Sequence, residues 1–349
     1  MVKSKIGVLI INLGTPDSPS VTDVRKYLRE FLMDARVIDI PFWRRFLLIN
    51  FIIAPFRAPQ SAKAYHELWT PLGSPLKVYG FELERLLQEA LGDTFEVKLA
   101  MRYQSPSIKS VLPHFKDKGF KELIVIPLYP QYASSSSGST MEEVMRAIKS
   151  WEVIPKIRFF SQFFDHPLFI KAFAEIGKKY VAQGSFDHYL FSYHGLPEHQ
   201  ILKSSCDNYC RLGDCCSVYS SKNQYCYRAQ CFETTRLLVK ALGIKKEDHT
   251  ICFQSRLGST PWIKPYTDEV IKQLAGRHKR VLVFSPAFVA DCLETTVEIA
   301  VEYKKLFLEH GGEHWQLVES LNAHPIWVEC LKQLVNQGVI ASGAKQSYD

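Results

Sequence analysis

The unbroken apolar run Ile6-Gly7-Val8-Leu9-Ile10-Ile11 near the amino terminus sets the strongest limit on the fold. A strand with one wet face alternates apolar and polar residues, whereas a strand apolar at every position must be covered on both faces, as in a parallel sheet. The pattern recurs, and it predicts strands over Ile6–Asn12, Val97–Arg102, Leu123–Leu128, His188–Tyr193, Thr250–Gln254, Arg280–Ser285 and His314–Val318. Helical spacing fills the intervals over Gly80–Leu91, Ser107–Lys118, Met141–Ser150, Pro167–Val181, Cys231–Leu242 and Leu293–Glu309. This alternation predicts the α/β class, with two doubly wound, Rossmann-like halves, parallel sheets and a cleft between them. A chain of 349 residues is long enough for both halves. The expected division is an N-terminal half over 1–165 with an apolar lip, a C-terminal half over 166–335 and a tail over 336–349. The halves echo each other in layout, not residue by residue.

Charge narrows the partners. The formal net charge of +7 is spread along the chain without a basic tail, which favours an anionic ligand or acidic membrane surface weakly and argues against nucleic acid. The start, Met1-Val2-Lys3-Ser4-Lys5, runs straight into a strand and reads as no secretory signal, so a cytoplasmic location is expected. The apolar stretch from Phe42 to Ile53 is shorter than the roughly 20 residues that span a bilayer. It is either a buried core helix or an exposed lip, flanked by Arg44, Arg45 and Arg57, that receives a hydrophobic ligand or lies on the inner membrane face.

In open α/β sheets ligands bind outside the carboxyl ends of the strands. Those ends carry Asn12-Leu13-Gly14, Arg102-Tyr103, Tyr129-Pro130-Gln131-Tyr132 with the serine run to Ser137, Tyr193-His194-Gly195, Gln254-Ser255-Arg256 and Ser285-Pro286-Ala287-Phe288. Aromatics, hydroxyls, one Arg and one His suit a flat aromatic ligand. The serine run lacks the glycine spacing and lysine of a phosphate loop, and Gly14 lacks the rest of a dinucleotide fingerprint, so a nucleotide site is not expected.

Past Phe288, Asp291, Glu294, Glu298 and Glu302 recur at steps of three or four, which on an α-helix gives one acidic face, with Leu293, Val297 and Val301 opposite as the core face. Either the acidic line is a capped, solvated face, or it turns toward His194 and passes a cation inward and protons outward. Imidazole with carboxylate suits Fe2+, Co2+ or Zn2+.

Six of the nine cysteines crowd one segment: Cys206, Cys210, Cys215, Cys216, Cys226 and Cys231. Such crowding ranks a metal or iron–sulfur site above disulfides. The spacing is not the paired pattern of a zinc ribbon, so a [2Fe-2S] cluster on four of the six comes first and zinc second.

In order along nearly the whole chain, Leu13-Gly14-Thr15-Pro16, Gly73-Ser74-Pro75-Leu76, Arg102-Tyr103, Tyr129-Pro130-Gln131-Tyr132, Phe191-Ser192-Tyr193-His194-Gly195-Leu196-Pro197, Phe253-Gln254-Ser255-Arg256-Leu257-Gly258, the Asp291-to-Glu298 stretch and Leu321-Asn322 resemble ferrochelatase. That resemblance implies a lyase inserting ferrous iron, its substrate, into protoporphyrin IX with release of two protons. It implies His194 and Glu294 as the catalytic pair, and His194, Glu294, Asp291 and Glu298 as the metal path. Leu13, Arg57, Tyr65, Arg102, Tyr103, Tyr129, Gln131, Tyr132, Ser136, Gln254 and Ser255 are the expected porphyrin contacts. Family members often have His after the Asp of the acidic helix; here it is Cys292, read as a small buried thiol. Many ferrochelatases hold a [2Fe-2S] cluster through a C-terminal extension, so here the cluster would lie in an internal loop. A coproporphyrin enzyme, another tetrapyrrole chelatase, or a non-catalytic tetrapyrrole or iron–sulfur sensor are the alternatives.

Overall fold

The computed structural model describes residues 5–258 and 260–343. The chain forms two compact units: residues to Tyr129 with Ser134–Gln162 and the chain from Asn322 on, and Pro130–Ala133 with Phe163–Leu321. In the first unit β1 (Ile6–Gly14), β2 (Phe95–Tyr103), β3 (Glu122–Pro127) and β4 (Lys156–Phe159) form a sheet of order β2-β1-β3-β4. In the second, β5 (His188–His194), β6 (His249–Gln254), β7 (Arg280–Phe284) and β8 (His314–Leu317) take the order β6-β5-β7-β8. Every pairing is parallel. Both sheets therefore reverse direction beside their first strand, the arrangement that opens a crevice at the carboxyl ends of β1 and β3, and of β5 and β7.

The apolar runs explain the layering. Val8, Leu9, Ile10 and Ile11 are wholly buried, and Leu9 and Ile11 pack with Leu123, Val125 and Phe115 on one face of the first sheet. Leu190, Val281 and Val283 fill the same role in the second, against Ile271, Ile299 and Phe307. Gly14 closes β1 at φ 112°, and a Cβ there would stand 2.0 Å from the Tyr103 carbonyl, so the meeting of β1 and β2 admits only glycine.

All seven expected strands are present. β4 escaped prediction because it is four residues long and only partly buried, leaving no apolar run to read. The chain from Asn322 on, expected in the second half as far as residue 335, clusters with the first unit: its helix Pro325–Gly343 packs on the Pro75–Leu91 helix. The expected tail over 336–349 is helical to Gly343, and the rest of it lies outside the described residues.

The acidic stretch also differs from expectation. It is a π-helix over Glu294–Tyr303 continued by an α-helix over Lys304–Glu309, and Asp291 precedes it. Its buried residues are Thr295, Val297 and Ile299, whereas Val301 is 53% exposed and Leu293 only partly buried. A core face of Leu293, Val297 and Val301 belongs to α-helical turning, and an i→i+5 ladder turns each residue through a smaller angle. Leu48–Ile53 and Ser134–Gly138 are π-helical too. The Phe42–Ile53 stretch is no buried core helix: Phe42, Phe51 and, just beyond, Phe56 are 66, 64 and 78% exposed, with Trp43, Phe46, Leu47 and Ile52 exposed beside them. Arg45, expected as a flanking charge, is instead buried and donates to the Ile38 and Ile40 carbonyls. No helix among the described residues is long and apolar enough to cross a membrane.

Candidate active site

His194 is the last residue of β5, where the strand ceases to be covered and the chain turns. Gly195 allows the turn: a Cβ there would meet the Gln254 carbonyl at 2.8 Å and the Trp262 ring at 3.1 Å. The imidazole Nδ1 lies 2.7 Å from the Gly195 carbonyl, which can only accept. Nδ1 therefore carries the proton and Nε2 presents a lone pair. The Tyr227 hydroxyl fixes the His194 carbonyl at 2.8 Å, and Trp262 and Phe288 flank the ring at centroid distances of 6.4 Å.

The carboxylates arrive from the π-helix. Glu298 Oε2 accepts from the Ser255 hydroxyl at 2.6 Å and the Gln254 amide at 3.2 Å, and Oε1 accepts from the Tyr303 hydroxyl at 2.8 Å. Burial pushes the Glu298 carboxyl above the usual range and outweighs those donors; the Glu294 charge pushes the same way and His194 opposes it. Glu294, Glu298 and His194 thus share one electrostatic neighbourhood in one unit. Burial, then the Glu298 charge, drives the Tyr303 phenol upward. Asp291 has different partners, accepting from the Ser320 amide at 3.2 Å and the Thr295 hydroxyl at 3.4 Å. Cys292 is buried, and burial followed by the Glu294 charge raises its thiol, as befits a packed side chain. Among the described residues no three of His, Cys, Asp and Glu are gathered closely enough to hold a metal ion, so the expected set of His194, Glu294, Asp291 and Glu298 is not a preformed cage.

Gln254 and Ser255, expected as porphyrin contacts, therefore sit at the carboxylate. Gln131 donates to Thr234 at 3.1 Å, and the Tyr132 amide donates to Gln230 at 2.7 Å, which ties Pro130–Ala133 to the second unit. In the first unit Arg102 is committed to Asp34 at 2.6 Å and Ser139 at 2.7 Å. The Tyr103 hydroxyl donates to Asp34 at 2.9 Å. Tyr65 is buried, edge-on to Tyr27 at 6.2 Å, and burial pushes the Tyr129 phenol up. Leu13 is partly buried, Ser136 lies in the Ser134–Gly138 turn, and Arg57 is exposed. Asp34 and Tyr303 were missed. Asp34 gave no signal, but Tyr303 lies five residues past Glu298, a neighbour on a π-helix and not on an α-helix.

In the second unit Cys206, Cys210, Cys215, Cys216 and Cys226 line one small cavity, while Cys231 is buried in the Tyr227–Leu242 helix. Arg228 donates to the Cys216 sulfur at 2.5 Å. Burial opposes a charged Cys215, but the amides of Arg211 and Gly213 and the thiols of Cys210 and Cys216 outweigh it and hold that thiol below its usual range. Burial raises Cys210, Cys216 and Cys226, the last to about 11. These thiols share a cavity, but among the described residues no three of them are gathered closely enough to hold a metal ion, so the expected iron–sulfur ligand set is not preformed either.

The geometry has relatives. A ferrochelatase from Legionella pneumophila (strain Lens) is 45% identical over 332 residues, 95% of this chain and 98% of its own. One from Coxiella burnetii (strain Dugway 5J108-111) is 44% identical over 338 residues, 96% and 94% of the two chains. Among solved structures, SirB from Bacillus subtilis with Fe3+ superposes at a TM-score of 0.54 over 99% of this chain and 100% of that one; at 13% identity the likeness is one of fold. The ferrochelatase family profile matches residues 5–339, and the chain belongs to that family.

Proposed function

We propose that the protein is a protoporphyrin ferrochelatase, a lyase that takes ferrous iron and protoporphyrin IX to protohaem and two protons. The observation that carries this is the His194 imidazole, proton fixed on Nδ1 and Nε2 open, in the same electrostatic neighbourhood as Glu294 and the half-buried Glu298. Metalation exchanges two pyrrole N–H protons for one cation. An imidazole whose Nε2 lone pair is open is suited to accept such a proton. Glu294 is the partner carboxylate, and Glu298 and Asp291 extend a path for the cation. Iron is substrate here, and a path that hands it on needs no resident cage.

The exposed Phe42–Phe56 face supports protoporphyrin over the more heavily carboxylated coproporphyrin, with Arg57 available to a propionate, and it is the face we assign to peripheral contact with a lipid surface. Iron or zinc insertion assayed on both porphyrins, with and without phosphatidylglycerol vesicles, tests these points. Protoporphyrin should turn over faster and vesicles should bind; faster coproporphyrin turnover would reverse the substrate. In the same assay His194→Ala should lose at least about a hundredfold in rate, the scale of general-base catalysis. Full activity in that variant would remove the catalytic assignment.

We also assign a [2Fe-2S] cluster to the cysteine cavity, on Cys210, Cys215, Cys216 and Cys226, with Cys206 at its exposed edge. When bound it would supply a stabilising or redox-sensing group, since metalation itself is not a redox reaction. The protein purified under argon should absorb in the visible and lose that absorbance on Cys216→Ser; a colourless protein would end the assignment.

A further inference from the structure

We infer that Tyr303 is a positioning residue for metal insertion, holding the Glu298 carboxylate and, through it, the Ser255 backbone in one orientation. The inference rests on the reading of Glu298 as part of the cation's path.

Three observations lead there. On the π-helix, residues five apart stack, so Tyr303 is delivered over Glu298 and its hydroxyl donates to Oε1 at 2.8 Å. The other oxygen is held from the opposite side, by Ser255 at 2.6 Å and Gln254 at 3.2 Å. Gln254 keeps its NH2 toward Glu298, whose carboxylate oxygen accepts, while the buried Ser192 hydroxyl donates to its Oε1 at 2.6 Å. With both oxygens engaged, the carboxyl plane is locked. Tyr303 is the sole member of this set that comes from the π-helix itself.

Ser255 shows why the lock matters. Its φ is +63°, a left-handed conformation in which a non-glycine residue is uncommon, and its hydroxyl is spent on Glu298. Its backbone N–H acts on the Tyr303 oxygen as well. Removing the phenol oxygen would free Glu298 to rotate about its last torsion and loosen Ser255 together with it. A carboxylate that must meet a passing cation loses rate steeply when it is no longer pre-aimed.

Tyr303→Phe removes one oxygen and keeps the ring, so the helix should still pack. In zinc insertion by the full chain, kcat should fall about tenfold, the scale of one hydrogen bond to a charged group. Porphyrin affinity, read by fluorescence quenching, should stay at the wild-type value, and the melting temperature should move by no more than about 3 °C, the scale of one lost hydrogen bond. Ser255→Ala should give a similar loss, and the double variant should lose no more than the worse single one, as coupled neighbours do. An unchanged kcat in Tyr303→Phe, losses that multiply in the double variant, or parallel falls in kcat, porphyrin affinity and melting temperature would each overturn the positioning role. His194→Ala assayed beside them separates the two failures: if it is inactive while Tyr303→Phe is normal, only Tyr303 loses its role, and if it is fully active the underlying reading fails.

Discussion

At the end of β2, Asp34 is a carboxylate with several donors; beyond the end of β6, Glu298 is another. Asp34 accepts from the Ser139 hydroxyl, the Tyr103 hydroxyl at 2.9 Å, the Arg36 amide at 2.8 Å and the Arg102 guanidinium at 2.6 Å. Burial works against its charge, yet these partners outweigh burial and hold the carboxyl below its usual range. Glu298 has three neutral donors, no guanidinium and a second carboxylate nearby, and there burial wins. Hydrogen bonds to a charged group are stronger when the partner is itself charged, and an opposite charge at contact distance favours the ionised form. For Asp34 the Ser139 and Arg36 donors lead against burial and the Arg102 charge adds to them; for Glu298 burial leads and the Glu294 charge adds to it. The first cluster is satisfied and structural. The second has both oxygens engaged yet keeps a raised carboxyl, which is the state that the proposed path for a cation would use.

Breaking the first cluster should have the largest effect. Asp34→Asn removes the nearer charge partner of Arg102, and the pair is 8% and 10% exposed, so a buried cation remains with the Glu143 carboxylate, at 4.0 Å, to face it. The expected cost is about 3 kcal/mol in urea unfolding, the usual scale for breaking a buried pair from one side. The sign with pH follows from the lowered carboxyl: the stabilisation is present above the unfolded carboxylate pKa and is lost as pH falls through the lower folded value. The gap between wild type and Asp34→Asn should therefore narrow in acid. A variant as stable as wild type at neutral pH would erase the contrast between the two clusters.

The same contrast explains what could be read from sequence. Both parallel sheets were legible because continuous burial writes itself as continuous apolar runs, as in Val8–Ile11. β4 was not, since a short, half-covered strand leaves no such run. His194, Glu294 and Glu298 were legible as residue types near strand ends. Their partners were not, because helix spacing was taken as α-helical: under that spacing Glu298 neighbours Glu302, whereas on the π-helix it meets Tyr303. Asp34 was silent for another reason. It lies 68 residues from Arg102, and a single carboxylate after a helix carries no local sign of a distant cation.

Glu298→Gln sharpens the other side, with a smaller effect on stability and of opposite sign. Because the folded carboxyl is raised, the folded protein binds this proton more tightly than the unfolded chain does. Stability from this group is then greatest below the unfolded pKa and is lost as pH rises through the folded one. A neutral amide of the same shape escapes that loss, since its oxygen still accepts from Ser255 and Gln254 and its NH2 can donate to the Tyr303 oxygen. At neutral pH the variant should melt slightly higher than wild type, and the two should converge on acidification. Metal insertion should fall about tenfold in the same protein, the trade expected where a site keeps an unfavourable charge for its chemistry. A variant less stable than wild type at neutral pH would mean that Glu298 is held as Asp34 is, by donors that outweigh burial, and that the two clusters differ in location alone.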